Sequence, residues 1–131
     1  MNMYTFKKEE RLCSEKLLEQ LFDSGSSFIL YPYKITWLPY NIPSKYPVQV
    51  IISVPKRRYK RAVDRNLLKR RIREAYRLYK HEDLYSKLGD KQLLLAISYI
   101  GKEVEGFDFI AKKMRLALDK LVYACTEHTM E

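Results

Sequence analysis

The sequence predicts a single α+β domain, an α/β sandwich in which a small mixed sheet of three or four strands is covered by helices. Three observations predict it. The 131 residues suffice for one hydrophobic core and are too few for two comfortable ones. Short runs rich in β-branched and aromatic residues read as strands, and longer runs with apolar residues three and four apart read as helices. Hydrophobic residues at 47% and charged residues at 31%, with only 4 Gly and 5 Pro, exclude collagen-like, low-complexity and fully disordered chains.

Ser14 is placed to cap a short helix that carries Leu17, Leu18, Leu21 and Phe22 on one side and stops at Gly25, a residue suited to a left-handed turn. Phe28 to Leu38 then reads as a strand in which Ile29, Tyr31, Tyr33, Ile35 and Trp37 alternate with residues such as Lys34 and Thr36, and Pro32 marks an edge or a bulge. Pro39, Pro43 and Pro47 bracket a loop. Val48 to Val54 is a second strand, ended by Pro55. Ala62 to Lys80 lacks Gly and Pro and is rich in Leu, Arg, Lys and Glu, which predicts a long helix. Leu84 to Leu88 adds a further turn before Gly89, Lys91 to Tyr99 reads as a buried strand, and Phe107 to Tyr123 as a closing helix. The core is expected over about residues 9–124, with Met1 to Lys8 and Ala124 to Glu131 dispensable.

Charge points to the partner. The chain carries a net charge of +9, and the segment from Lys56 to Lys80 holds 12 basic residues against Asp64 and Glu74, so this segment accounts for the whole excess. Such focusing suits a phosphate-binding surface, whereas charge kept for solubility is interspersed with both signs. Cys13 and Cys125 lack a CxxC partner and follow no apolar signal core, the pattern of reduced cytoplasmic thiols. With His81 and His128 the only histidines, no zinc-binding motif is present, and no run approaches the roughly 20 apolar residues of a bilayer span, so neither a metal site nor a membrane partner is expected.

On the long helix, Arg61, Arg65, Lys69, Arg73 and Arg77 recur every four positions and form a stripe flanked by Asn66 and Arg70. Leu68, Ile72, Ala75 and Tyr79 fall on a neighbouring arc that can pack on the sheet. Like charges at this spacing repel by a few tenths of a kcal/mol per pair, about what a polyanion would relieve. Arg presents a planar fork that matches phosphate, and Asn66 can bond a base edge or a 2′-hydroxyl, which suits RNA. A DNA-binding reading of the same helix lacks a dimerising heptad repeat, so DNA is not the expected partner.

The stretch Ala62-Val63-Asp64-Arg65-Asn66-Leu67-Leu68-Lys69-Arg70-Arg71-Ile72-Arg73-Glu74 resembles the A-V-x-R-N-x-x-K-R-x-x-R-E signature of the bacterial ribonuclease P protein component. Arg11-Leu12, a helix ending Phe22-x-x-Gly25, a strand ending Ser53-Val54-Pro55-Lys56 and an apolar strand after Asp90 follow the same family order. The resemblance implies an α-β-β-β-α-β-α, ribosomal-protein-like fold with a left-handed βαβ crossover. It also implies a cytoplasmic subunit of a ribonucleoprotein whose catalytic RNA removes the 5′ leader from precursor tRNA using Mg²⁺. Carried over residue by residue, Arg65, Asn66, Lys69, Arg70 and Arg73 would face the RNA subunit, with Lys56, Arg57 and Arg61 extending that surface. Phe22 and Tyr33 match aromatic positions of a cleft that contacts the leader, where bases can stack.

The chain departs from the family pattern in having no Gly between Lys56 and Ala62, a segment one residue longer than usual, and in carrying Leu18 and Ile51 where an aromatic and a Gly are frequent. It shows no carboxylate cluster or His pair for catalysis of its own. His81-Glu82-Asp83 reads as a polar helix end, so no catalytic residue is expected and Mg²⁺ is assigned mainly to the RNA partner and substrate. A non-catalytic rRNA- or ribosome-binding protein is the alternative.

Overall fold

The computed structural model describes residues 5–127, so the outermost parts of both ends, His128 among them, lie outside the described residues. Ser14 caps helix α1 (Glu15–Ser24) as its spacing predicts, its hydroxyl accepting the Leu17 N–H at 3.2 Å. Strands β1 (Ser26–Leu30), β2 (Tyr33–Pro39) and β3 (Val48–Ser53) follow, then helix α2 (Ala62–Asp83), strand β4 (Leu93–Tyr99) and helix α3 (Phe107–Glu127). Short 3₁₀ turns at Lys8–Glu10 and Tyr85–Lys87 flank α1 and α2.

The strands form one mixed sheet in the order β1-β2-β4-β3, antiparallel except for the β3/β4 pair. Parallel neighbours need a long crossover, and α2 supplies it. Tyr33, Ile35 and Trp37 on β2, Val48 and Val50 on β3, and Leu93, Leu95, Ile97 and Tyr99 on β4 pack beneath α2 and α3. Leu94 and Ala96 point the other way, into a smaller cluster with Leu12, Leu17, Leu18 and Leu21 beneath α1. Being covered on both faces, β4 reads as an unbroken apolar run.

Four expectations need correction. The stretch Phe28 to Leu38 is not one strand: it turns back at Tyr31–Pro32, a cis peptide bond, and pairs with itself as a hairpin in which Phe28 opposes Ile35. Gly25 is extended (φ −77°, ψ 162°) rather than left-handed. A Cβ there would lie 2.4 Å from the Leu21 carbonyl oxygen and 2.8 Å from that of Trp37, so close backbone approach is what requires glycine. On α2 the arc of Leu68, Ile72, Ala75 and half-buried Tyr79 packs on the core as expected, but it is wider than predicted, since Tyr76 and Lys80 are buried as well. Finally, within the described residues the segments expected to be dispensable do pack: Phe6 meets Tyr76 edge-on at 5.8 Å, and α3 runs on past Tyr123 with Cys125 buried, while residues 1–4 and 128–131 lie outside the described residues.

Candidate nucleic-acid interface

The turn before α2 solves its missing glycine without a left-handed residue, since Gly89 alone among the described residues has a positive φ. The Pro55 carbonyl accepts the N–H groups of both Arg58 and Tyr59 at 3.2 Å. Tyr59 is buried, and its hydroxyl donates to the Gly101 carbonyl at 2.7 Å. Burial, followed by the neighbouring Tyr31, raises its pKa above the ordinary phenol value. Anchored in this way, the turn holds Lys56, Arg57 and Arg58 out to solvent.

The predicted stripe divides on α2. Arg65 folds back and donates to the carbonyls of Tyr59 (2.8 Å) and Lys60 (2.9 Å), so its first role is to fasten the turn to the helix. Arg71 reaches the Glu105 carbonyl and pins the loop before α3. Arg77 holds Glu74 through two hydrogen bonds, and this contact lowers the Glu74 pKa. Arg61 is exposed, 4.0 Å from Asp64. Asn66, Arg70 and Arg73 stand exposed on the outer side with half-buried Lys69 beside them, and no hydrogen bond or ion pair within the described residues engages their side chains. Unengaged guanidinium forks at successive turns can take phosphates without first breaking an internal contact.

The structure separates the two aromatic candidates for leader contact. Phe22, on the last turn of α1, is 55% exposed. Tyr33 is fully buried beneath α3, where its hydroxyl donates to the Ile110 carbonyl at 2.8 Å and burial raises its pKa. It therefore presents no ring face to a base, contrary to the expectation. The reason is the two-residue period: Tyr33 shares its face with Ile35 and Trp37, and the residue pointing toward the α1 side is Lys34. Lys34 lies opposite Ile29 on β1 and Ser98 on β4, and Ser98 lies opposite Ser53 on β3. These four residues form a row across the sheet next to the basic turn. The sequence reading did not single them out, although the alternation it used places Lys34 outward.

Among the described residues no group of three or more His, Cys, Asp or Glu gathers as a metal would require, and no helix is long and apolar enough to cross a membrane.

A family model described as Ribonuclease P matches residues 6–121. A ribonuclease P protein component of Porphyromonas gingivalis is 32% identical over 123 residues, covering 90% of this chain and 87% of the relative. One from Petrotoga mobilis is 32% identical over 109 residues, covering 83% and 86%. The fold is shared with the RNase P protein of Thermotoga maritima (TM-score 0.68, 20% identity, 85% of this chain and 96% of that one). It is likewise shared with that of Staphylococcus aureus (TM-score 0.65, 19% identity, 86% and 94%). The chain belongs to the ribonuclease P protein component family.

Proposed function

We propose that this chain is the protein subunit of a cytoplasmic ribonuclease P. In this role it binds the catalytic RNA and the 5′ leader of precursor tRNA and promotes endonucleolytic removal of that leader. The observation that carries the reading is the outer ridge of α2, where Asn66, Arg70 and Arg73 stand exposed and unengaged within the described residues in a chain of this family. Lys69, Arg61, Lys56 and Arg57 extend the surface, and Arg65 contributes by holding its geometry. The leader runs over the face beside α1, with a base on Phe22 and a phosphate at Lys34, while Tyr33 supports that face from beneath.

Cations dominate this surface, so its donor set does not fit Mg²⁺. The metal that the chemistry uses is assigned to phosphates of the RNA partner and substrate, and no group of this chain is given a catalytic role. The protein raises substrate affinity and screens phosphate repulsion. The test is reconstitution: with the host's ribonuclease P RNA at a Mg²⁺ concentration too low for the RNA alone, the purified chain should restore precursor-tRNA cleavage. No restoration, with an RNA that is active alone at high Mg²⁺, would reject the proposal.

A further inference from the structure

At the C-terminal end of α2, roughly 30 Å along its axis from Arg61, a cavity of about 460 Å³ opens between the segment before α1, the loop leading into β3 and the turn at Tyr85–Lys87. Its floor is a buried ion pair. Glu10 accepts the Lys7 N–H at 2.7 Å and the Tyr85 hydroxyl at 2.6 Å, and pairs with the ammonium of Lys80. Lys80 is only 2% exposed, with the rings of Phe6 and Tyr85 at 5.4 and 5.2 Å. An ammonium has three donors, and among the described residues Glu10 is the one hydrogen-bond acceptor Lys80 meets. Burial, the largest influence on it, lowers its pKa despite that carboxylate.

The rim supplies more of the same chemistry. Lys7, Lys45 and His81 line the opening, Glu10 is the sole carboxylate among the lining residues, and the Lys45 ammonium lies 5.5 Å from the centre of the Tyr46 ring. Cations beside an aromatic ring match a phosphate joined to a base; an acidic peptide would match the charges and leave the ring unused. Asn66, Arg70, Arg73, Arg77 and His81 follow one another at steps of three or four, so the outer ridge of α2 leads to this rim.

We propose that this cavity is a nucleotide-binding site, with the phosphate held by Lys7 and Lys45 at the rim, the base against Tyr46, and the buried Glu10–Lys80 pair as the floor that shapes it. The nucleotide is either one residue of an RNA strand that follows α2 or a free nucleotide. This site lies past the end of the ridge assigned above, and its RNA-strand form rests on that assignment; its test does not read cleavage, so its failure leaves the proposed function standing.

The experiment titrates the ¹⁵N-labelled full chain at low salt with UMP, with inorganic phosphate and with a short oligouridylate. Amide shifts are expected at Tyr46, His81 and Ser86 with UMP, together with roughly tenfold weaker binding by the Lys7→Gln/Lys45→Gln variant at an unchanged melting temperature. Tyr46→Leu should lose the preference for UMP over phosphate. Tighter binding of the oligouridylate than of UMP at these amides assigns the site to an RNA strand, and equal binding assigns it to a free nucleotide. Shifts confined to Asn66–Arg73, equal affinity for phosphate and UMP, or undiminished binding by the double variant would overturn the proposal.

Discussion

The hydroxyl of Tyr59 donates to the carbonyl of Gly101 at 2.7 Å, and this bond joins the basic turn before α2 to the loop after β4. Arg65 fastens the same turn from the helix side through the carbonyls of Tyr59 and Lys60. Tyr59→Phe leaves a buried acceptor unpaired and should cost about 1–2 kcal/mol in urea denaturation. Arg65→Ala should cost about 1 kcal/mol by the same measurement. An unchanged urea midpoint for both would show that the turn is held by other contacts.

The Glu10–Lys80 pair is buried across 70 positions of sequence. Removing one partner strands the other charge away from water, so Lys80→Met and Glu10→Gln should each destabilise by about 3–5 kcal/mol, whereas the double variant should regain part of that loss. A double-mutant cycle in denaturant checks it. Additive single effects would show that the pair is not coupled.

Phe22 and Tyr33 should separate cleanly. Phe22 is half exposed, so Phe22→Ala should leave stability nearly unchanged and weaken leader-dependent substrate affinity by about 1–3 kcal/mol, the worth of one stacked base. Tyr33→Phe breaks the bond to Ile110 and should cost about 1 kcal/mol of stability with leader affinity unchanged. Binding of precursor tRNA with and without its leader distinguishes the two.

Alkali should unfold the protein. Burial is the first cause that raises the phenol pKa of Tyr33, Tyr59, Tyr76, Tyr85 and Tyr99 above the ordinary value of 10.0. Groups so shifted stabilise the fold fully below the unfolded phenol pKa, and that contribution is lost as pH rises above it. Lys80 has the opposite sign, because its lowered pKa makes the folded state bind fewer protons than the unfolded one, but it is one group against five. Tyrosinate absorbance should therefore rise in two stages, with the buried phenols ionising only as circular dichroism reports unfolding. A single smooth titration of all 11 tyrosines with the fold intact would contradict this.

Much of this was legible in the sequence. The Gly- and Pro-free run from Ala62 gives α2, and the apolar run at Leu93–Ile97 gives a strand buried on both faces. The hairpin at Tyr31–Pro32 was not visible, because its turn lacks the Gly or Asn that marks a tight hairpin and both arms carry the same residue types. The family resemblance put Tyr33 in an open cleft, while its own alternation with Ile35 and Trp37 already placed it inward; the local period prevailed. Lys80 counted as surface charge until Glu10 met it from a distant part of the chain, a pairing that no periodicity reports. Arg65 likewise fits the outer stripe by spacing, and only the path of the preceding turn gives it two carbonyls to hold.

The most direct measurement of the central claim, that the outer ridge of α2 docks folded RNA, is the affinity of the chain for its host's ribonuclease P RNA as a function of salt. With about five phosphates engaged, log K should fall against log salt with a slope of roughly 3 to 5, and Arg70→Ala/Arg73→Ala should lower that slope by about 1.5 to 2 without moving the melting temperature. A flat salt response, or the same slope in the double variant, would contradict the assignment of this ridge to RNA.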